Sequence, residues 1–500
     1  MTKLLTKEKL KHIIREWEYP LLILGAMIIK LMKVTPDSDA HALINIGRYI
    51  VHNGFPKTNP FVVHSGFKAI FHESGVCLLN FLAYDLLGYL GLFILAVLMA
   101  VCAAATLTRY ASLYTGEKYK ARLIGYLATS ILVFTGAAQT RPFLFDVSFM
   151  SLALSYVKQS RDTKNWKYLM PVVEISLLQA NFHGAVWPFI VCIACIPLVP
   201  THPSEFKGFL KPYYKENKAY LQKVALFILL TIVVGFANPY GADGILYLFK
   251  SFGTAKSFSI GELGPFGVPS LGGQVLNISF VVVCFYFYFT AKRDKNALEI
   301  PELFTFAAFW TFAMMHQRNI MFLAIAIVPI LAHAMENLNV DEESGGKSTL
   351  KPAEKVFVRT VCCSLWALAL LYVFISEAVG VDNFGKNIEN AEALYPVEVA
   401  DYLDEYVAEN DLNKATIGVF THFNDGHYMM FRGYRVYFNA QPELYSDKVN
   451  GVEDVASEYN ELLSGKLDYA EFLDKYKFDF IVSTDESMFA EYLRFAPDTG

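Results

Sequence analysis

Apolar residues in this chain form long continuous runs between short charged loops, without the period-two alternation of barrel strands. A helix that crosses a bilayer needs roughly 20 mostly apolar residues. By that measure the runs predict eleven spanning helices: 18–34, 88–108, 122–137, 142–157, 168–181, 184–200, 221–237, 273–291, 300–315, 319–335 and 356–378. An insertion, 36–87, separates the first two. Within it Asp37, His41, Asn45, Arg48 and His52 recur every three or four residues opposite Leu43, Ile46 and Ile50. That spacing predicts an amphipathic helix lying along a membrane surface. After Gly380 the pattern changes: strand-like ATIGVF (415–420), YRVYFN (434–439) and FDFIVST (478–484) alternate with helical stretches near 396–409, 453–475 and 485–494. A small α/β domain is expected there.

Charge then orients the helices. One alternate set of loops carries the cations, among them Lys3 to Arg15, Arg109 to Arg122, Lys158 to Lys167, Lys207 to Lys223, Lys292 to Lys295 and Lys347 to Lys355. Positively charged short loops stay cytoplasmic. The segment after Gly380 holds 24 Asp or Glu against 9 Lys or Arg, a net of −15 where the whole chain is −5. An odd number of crossings puts that acidic segment outside the cell membrane and the N-terminus in the cytoplasm. The resulting division is a basic amphipathic segment, 1–17, on the inner membrane surface, a transmembrane domain, 18–378, with its first outer loop at 36–87, and an extracytoplasmic α/β domain, 379–500. The first apolar run lacks a small-residue cleavage site and is expected to remain as a signal anchor. DEESGGKST (341–349) reads as a polar cytoplasmic loop.

Composition agrees with lipid as the solvent. Of 500 residues, 54% are hydrophobic and 18% charged, where a water-soluble chain carries about 25% charged residues. All seven cysteines fall in or beside apolar runs, so no disulfide framework is visible, and the CxxC pair Cys192 and Cys195 is expected to be core packing.

The polar residues that escape this pattern converge on one side. Asp37, Asp39, Glu73, Gln139, Arg141, Asn181, His183, Asn238, Tyr240, Glu262, His316 and Arg318 all fall at or near outer helix ends. Polar groups near membrane depth are costly unless they pair or line a cavity, which points to a shared hydrophilic chamber. A carboxylate at a helix start also serves as a plain cap, and Arg141 beside Pro142 also serves to start a helix.

The stretches DSDAHALINIGRYIVHNGFPKTNPF (37–61), FHES (71–74), TRPFLFDVSF (140–149), QANFHGA (179–185), ANPYG (237–241), GELGP (261–265), QRNIMF (317–322), YPVEVADYL (395–403), FNDGHYMMFRGYRVYFNAQPELY (423–445) and KYKFDFIVST (475–484) follow in one order. In that order the chain resembles a large group of bacterial GT-C-like glycosyltransferases, membrane enzymes with an acidic motif in the first outer loop. The resemblance implies a mainly α, polytopic GT-C-type bundle with an outer α/β domain. It also implies a polyprenyl-phosphate-linked sugar donor and an acceptor outside the cytoplasm that is a glycan, lipid or protein of the cell envelope. No predicted cytoplasmic loop is long enough for a nucleotide-binding domain, no G-x-G-x-x-G or Walker loop is present, and no nucleic-acid partner is expected.

Sugar transfer needs a base for the acceptor hydroxyl and positive charge for the departing phosphate. Asp39, then Asp37, is the expected base, with Glu73 orienting the acceptor or joining a divalent metal site. Arg141 and Arg318 are expected at the phosphate, with His183, His316, Arg48 and Glu262 as further substrate contacts. Asp37 and Asp39 could hold Mg²⁺ or Mn²⁺ as an optional cofactor. Two rival readings are a noncatalytic assembly factor on the same scaffold and a lipid-linked glycan transporter or flippase.

Overall fold

The computed structural model describes residues 7–32, 38–134, 141–206, 211–251, 265, 271–293, 299–338, 395–483 and 487–495. Asp37, Gln139, Glu262, the linker 341–349 and the expected span 356–378 lie outside them.

Within the described residues the apolar runs fold as helices, and the fold is mainly helical. α1 (Lys7–Met32) runs unbroken through Pro20, so the described parts of the basic segment and of the first apolar run, expected as two pieces, form one continuous helix. There follow α2 (Ser38–Asn53), α3 (Ser74–Leu87), α4 (Tyr89–Ala111), α5 (Lys118–Phe134), α6 (Phe143–Thr163), α7 (Met170–Phe182) and α8 (Trp187–Cys195). Then come α9 (Lys211–Glu216), α10 (Lys218–Gly235), α11 (Ala242–Ser251), α12 (Leu271–Arg293), α13 (Ile300–Met315) and α14 (Leu323–Leu338).

Among the described residues, three stretches are long and apolar enough to cross a membrane: Tyr89–Ala111, Lys218–Gly235 and Gln317–Met335. Shorter apolar helices cover Ser74–Leu87, Gly184–Leu198, Leu276–Tyr288 and Ile300–Met315. The first of these, α3, falls inside the insertion where only a surface helix is expected. Leu226, Leu229 and Val233 of α10 and Leu86 of α3 are exposed. Small residues let the buried sides approach closely. A methyl group on Gly125 of α5 would come within 2.2 Å of the Thr108 hydroxyl on α4, and Ala100, Ala103 and Ala104 of α4 are also buried. The cysteines depart from expectation: Cys77 is buried, but Cys192 is exposed and Cys195 half-buried, so that pair faces outward from α8 instead of filling a core.

The C-terminal segment is α/β. It runs α15 (Val397–Glu409), β1 (Gly418–Phe420), α16 (Gly426–Phe431), β2 (Arg435–Val436), α17 (Asp447–Asn450), α18 (Val455–Leu463), α19 (Tyr469–Tyr476), β3 (Phe480–Ile481) and α20 (Met488–Phe495). The strands are parallel in the order β2-β1-β3, with Val419 opposite Val436 and Phe480. The helix expected over 453–475 is two, because Gly465 takes a positive φ of 64° and Asp468 caps the second by accepting from the Ala470 and Glu471 amides.

The insertion does not lie apart from this domain. Val62 bridges Val436 in parallel, extending the sheet beyond β2, and Arg435 donates to the Val62 and Val63 carbonyls at 3.1 Å each. α2 corrects the surface-helix expectation. His41 and Asn45, placed on its polar face, are buried, because α16 and α3 cover it. The His41 ring is packed among Tyr89, Tyr395, Tyr428 and Phe431, and burial lowers its pKa to about 4, helped by His427. Leu43, Ile46 and Ile50 share one core with Leu403, Val419, Tyr428 and Val436.

Candidate functional site

Helix ends, set by local sequence, aim polar side chains at one place. α2 opens after Asp37 with Asp39 in its first turn, where a carboxylate suits the helix dipole. Pro142 starts α6 and leaves Arg141 just outside it. His183 ends α7 by leaving the helical conformation. His316 ends α13 in the same way, and the chain tightens into a 3-10 turn, Gln317–Phe322, that carries Arg318. Glu73 sits at the start of α3 but makes no side-chain cap, which frees its carboxylate for other partners.

These ends surround a cavity of about 540 Å³ between the helices and the C-terminal domain, a size suited to a small ligand. Its wall includes Asp39, Glu73, Arg141, His183, His316 and Arg318, six of the residues singled out in the sequence. Arg48 is not among them. It donates to the Phe431 carbonyl at 3.2 Å and lies over the Phe431 ring, fastening α2 to the C-terminal domain. Asp37 and Glu262 lie outside the described residues.

Two charged groupings occupy the wall. In the first, Arg141 Nη2 is 3.1 Å from Asp39 Oδ2, and His427 Nδ1 is 3.6 Å from Asp39 Oδ1. Asp39 is therefore paired with the Arg141 guanidinium and faces the His427 ring, while Asp37, the acid expected to share a metal ion with it, lies outside the described residues. In the second, Glu73 Oε1 is 3.4 Å from His183 Nε2 and 3.6 Å from His72 Nε2. His183 Nδ1 donates to Asp146 Oδ2 at 2.7 Å. Gln179 Nε2 donates both to Asp146 Oδ1, at 2.7 Å, and to the His183 carbonyl, at 3.0 Å. Arg318 lies 4.9 Å over the Phe143 ring.

Electrostatics distinguish the two imidazoles. Burial, with His183 and Arg318 adding to it, lowers the His72 pKa to about 3 and keeps that ring neutral. Burial also opposes charge on His183, but the Asp146 carboxylate outweighs it and holds the pKa above the ordinary value. In the C-terminal domain, burial pushes Glu443 up, with Glu73 and Asp39 contributing, and its carboxyl receives the Tyr247 hydroxyl at 3.2 Å.

Sequence reasoning passed over His72, Asp146, Gln179, Tyr247, His427 and Glu443 as site residues. One signal was available: Asp146 is an acid inside a predicted span, where an ionisable residue is functional by default. His427 and Glu443 come from the C-terminal domain, and nothing in their spacing links them to helix ends about 110 to 400 residues away.

No protein-family model matches this chain, and no curated protein matches it.

Proposed function

We propose that this chain is a polytopic membrane glycosyltransferase of GT-C type that moves a sugar from a polyprenyl-phosphate donor to an acceptor outside the cytoplasm. One observation carries the reading: a single cavity of about 540 Å³ gathers Asp39 and Glu73 with Arg141 and Arg318 from four separate segments. A transferase for an anionic lipid donor needs that mixture. The spanning helices, eleven in this reading, would hold the lipid tail, and their outer ends would meet the sugar.

In the reaction the acceptor hydroxyl oxygen bonds to the anomeric carbon and the bond from that carbon to the phosphate oxygen breaks. The polyprenyl phosphate leaves with the electron pair. Asp39 takes the hydroxyl proton, and Arg141, now its partner, is well placed to turn to the phosphate. Arg318 offers a second guanidinium able to grip phosphate oxygens with two donors. Glu73, His183 and His316 contact the sugar or acceptor, and the Glu443 carboxyl, pushed towards its neutral form, can donate to a sugar hydroxyl.

The test supplies purified full-length protein in lipid nanodiscs with a panel of polyprenyl-phosphate sugars and envelope acceptors. Wild type should transfer sugar, and Asp39→Asn should lose about 10²- to 10⁴-fold in rate. No transfer by wild type to any acceptor, or full activity in Asp39→Asn, would defeat the reading. Donor movement across vesicles without an acceptor would favour transport instead.

A further inference from the structure

We infer that His72, Glu73 and His183 form a binding centre for one zinc-class divalent cation on the cavity wall, with Asp146 as its outer-sphere support. The three ligand atoms lie within 4.8 Å of one another. Bonds of about 2.1 Å in a tetrahedron put neighbouring ligand atoms about 3.4 Å apart. The Glu73 oxygen lies 3.4 Å from one imidazole nitrogen and 3.6 Å from the other. Those separations exceed the roughly 2.7–3.2 Å of an N–H to oxygen hydrogen bond, but they match the edge of a metal polyhedron.

The surroundings have the form such a centre needs. A metal-bound histidine hands its far ring nitrogen to a carboxylate, which fixes the tautomer and the ring angle. His183 does this: Nδ1 donates to the fully buried Asp146 at 2.7 Å, and Nε2 faces Glu73. Asp146 is itself held by Gln179, which also grips the His183 carbonyl. The His72 ring is braced by Tyr247, with centroids 5.3 Å apart. The two ligand segments are joined by the Gly184 amide donating to the His72 carbonyl at 2.8 Å. A role in helix capping does not account for this arrangement, because Glu73 makes no cap.

Two imidazoles and one carboxylate favour zinc or a similar ion over magnesium, which prefers an all-oxygen shell. Three protein ligands also leave a fourth position, as catalytic zinc sites do, and here His72, Glu73 and His183 all line the cavity. The nearby Arg318 guanidinium weakens binding, while the Glu73 and Asp146 carboxylates oppose it. Occupancy of the centre stands apart from the transferase reading; use of the ion to hold a donor or acceptor oxygen rests on it.

The full-length protein, stripped with chelator, is titrated with Co²⁺ while visible absorption is followed. The expected result is one cobalt per chain with the intense bands of four-coordinate Co²⁺, displaced by one equivalent of Zn²⁺. Glu73→Gln and His72→Gln should abolish the bands. Asp146→Asn should weaken binding about 10- to 100-fold, and Asp39→Asn should bind as wild type. Melting curves of each variant separate loss of ligand from loss of fold. Absence of the bands in wild type, or their survival in both Glu73→Gln and His72→Gln, overturns the inference. Cobalt binding without sugar transfer would leave the metal centre standing and count against the transferase; transfer by a chelated protein that takes up no cobalt would do the reverse.

Discussion

Single side chains in this protein have their chemistry set by two or three neighbours. Asp404 is an example outside the cavity. Burial would raise its pKa, but Lys414, Tyr434 and Arg432 all donate to its carboxylate and hold the pKa below the ordinary value. A depressed folded value stabilises the protein fully above the unfolded value, near about 4, and the effect is lost as pH falls through the folded value. Asp404→Asn should therefore lower the melting temperature at neutral pH, with the gap to wild type closing on acidification. A gap that stays constant in thermal unfolding across that range would contradict this origin. Single residues also mark what the sequence made legible. Asp39, Arg141, His183, His316 and Arg318 stood out because they interrupt apolar runs at helix ends, and they share one cavity. Asp146 was legible only as a lone acid in an apolar run, with nothing to say which residues it meets, and His72 was hidden because it borders the α3 start with no periodic partner.

Elements were legible where hydrophobic periodicity was long. The expected run 88–108 matches α4 (Tyr89–Ala111), and 221–237 matches α10 (Lys218–Gly235), within a few residues. The α/β alternation after residue 395 was also visible, although the strands proved as short as two residues. What failed was the environment of α2. Its polar face predicts water, but periodicity cannot reveal that a second element, encoded nearly 400 residues later, will cover that face. The packing of α2 on α3 gives a direct check. A methyl group on Gly47 would lie 2.1 Å from the Cys77 carbonyl oxygen and 2.7 Å from Phe81 Cβ. Alanine would gain about 1 kcal/mol of helix propensity. Overpacking against backbone costs about 1–3 kcal/mol and should win here, because a carbonyl of α3 cannot rotate aside. Gly47→Ala should thus lower the melting temperature; an unchanged or raised value would mean the two helices are not in contact at this residue.

At the scale of the whole molecule, two polar regions lie at opposite ends of α6. Asp146 joins the cavity group near its start, while Lys158 and Arg161 near its end both pair with Glu299, at 2.6 and 3.2 Å. Twelve residues of helix separate Asp146 from Lys158, about 18 Å at 1.5 Å per residue. An apolar belt of that order lies between them, less than the roughly 30 Å of a hydrocarbon core but adequate if both polar groups reach inward from the interfaces. In our proposal the Glu299 end is cytoplasmic and the cavity end external, as the distribution of cations in the loops predicts. The C-terminal domain, tied to the first insertion through Val62, Val436 and Arg435, covers the cavity and supplies His427 and Glu443. The most direct measurement is a structure of the full-length protein in a lipid nanodisc with polyprenyl phosphate bound. The account predicts the phosphate inside this cavity, with oxygens about 2.7–2.9 Å from guanidinium nitrogens of Arg141 or Arg318 and the lipid tail leaving between helices. A phosphate bound at the Lys158 and Arg161 end, or a cavity that stays empty at saturating lipid, would contradict it.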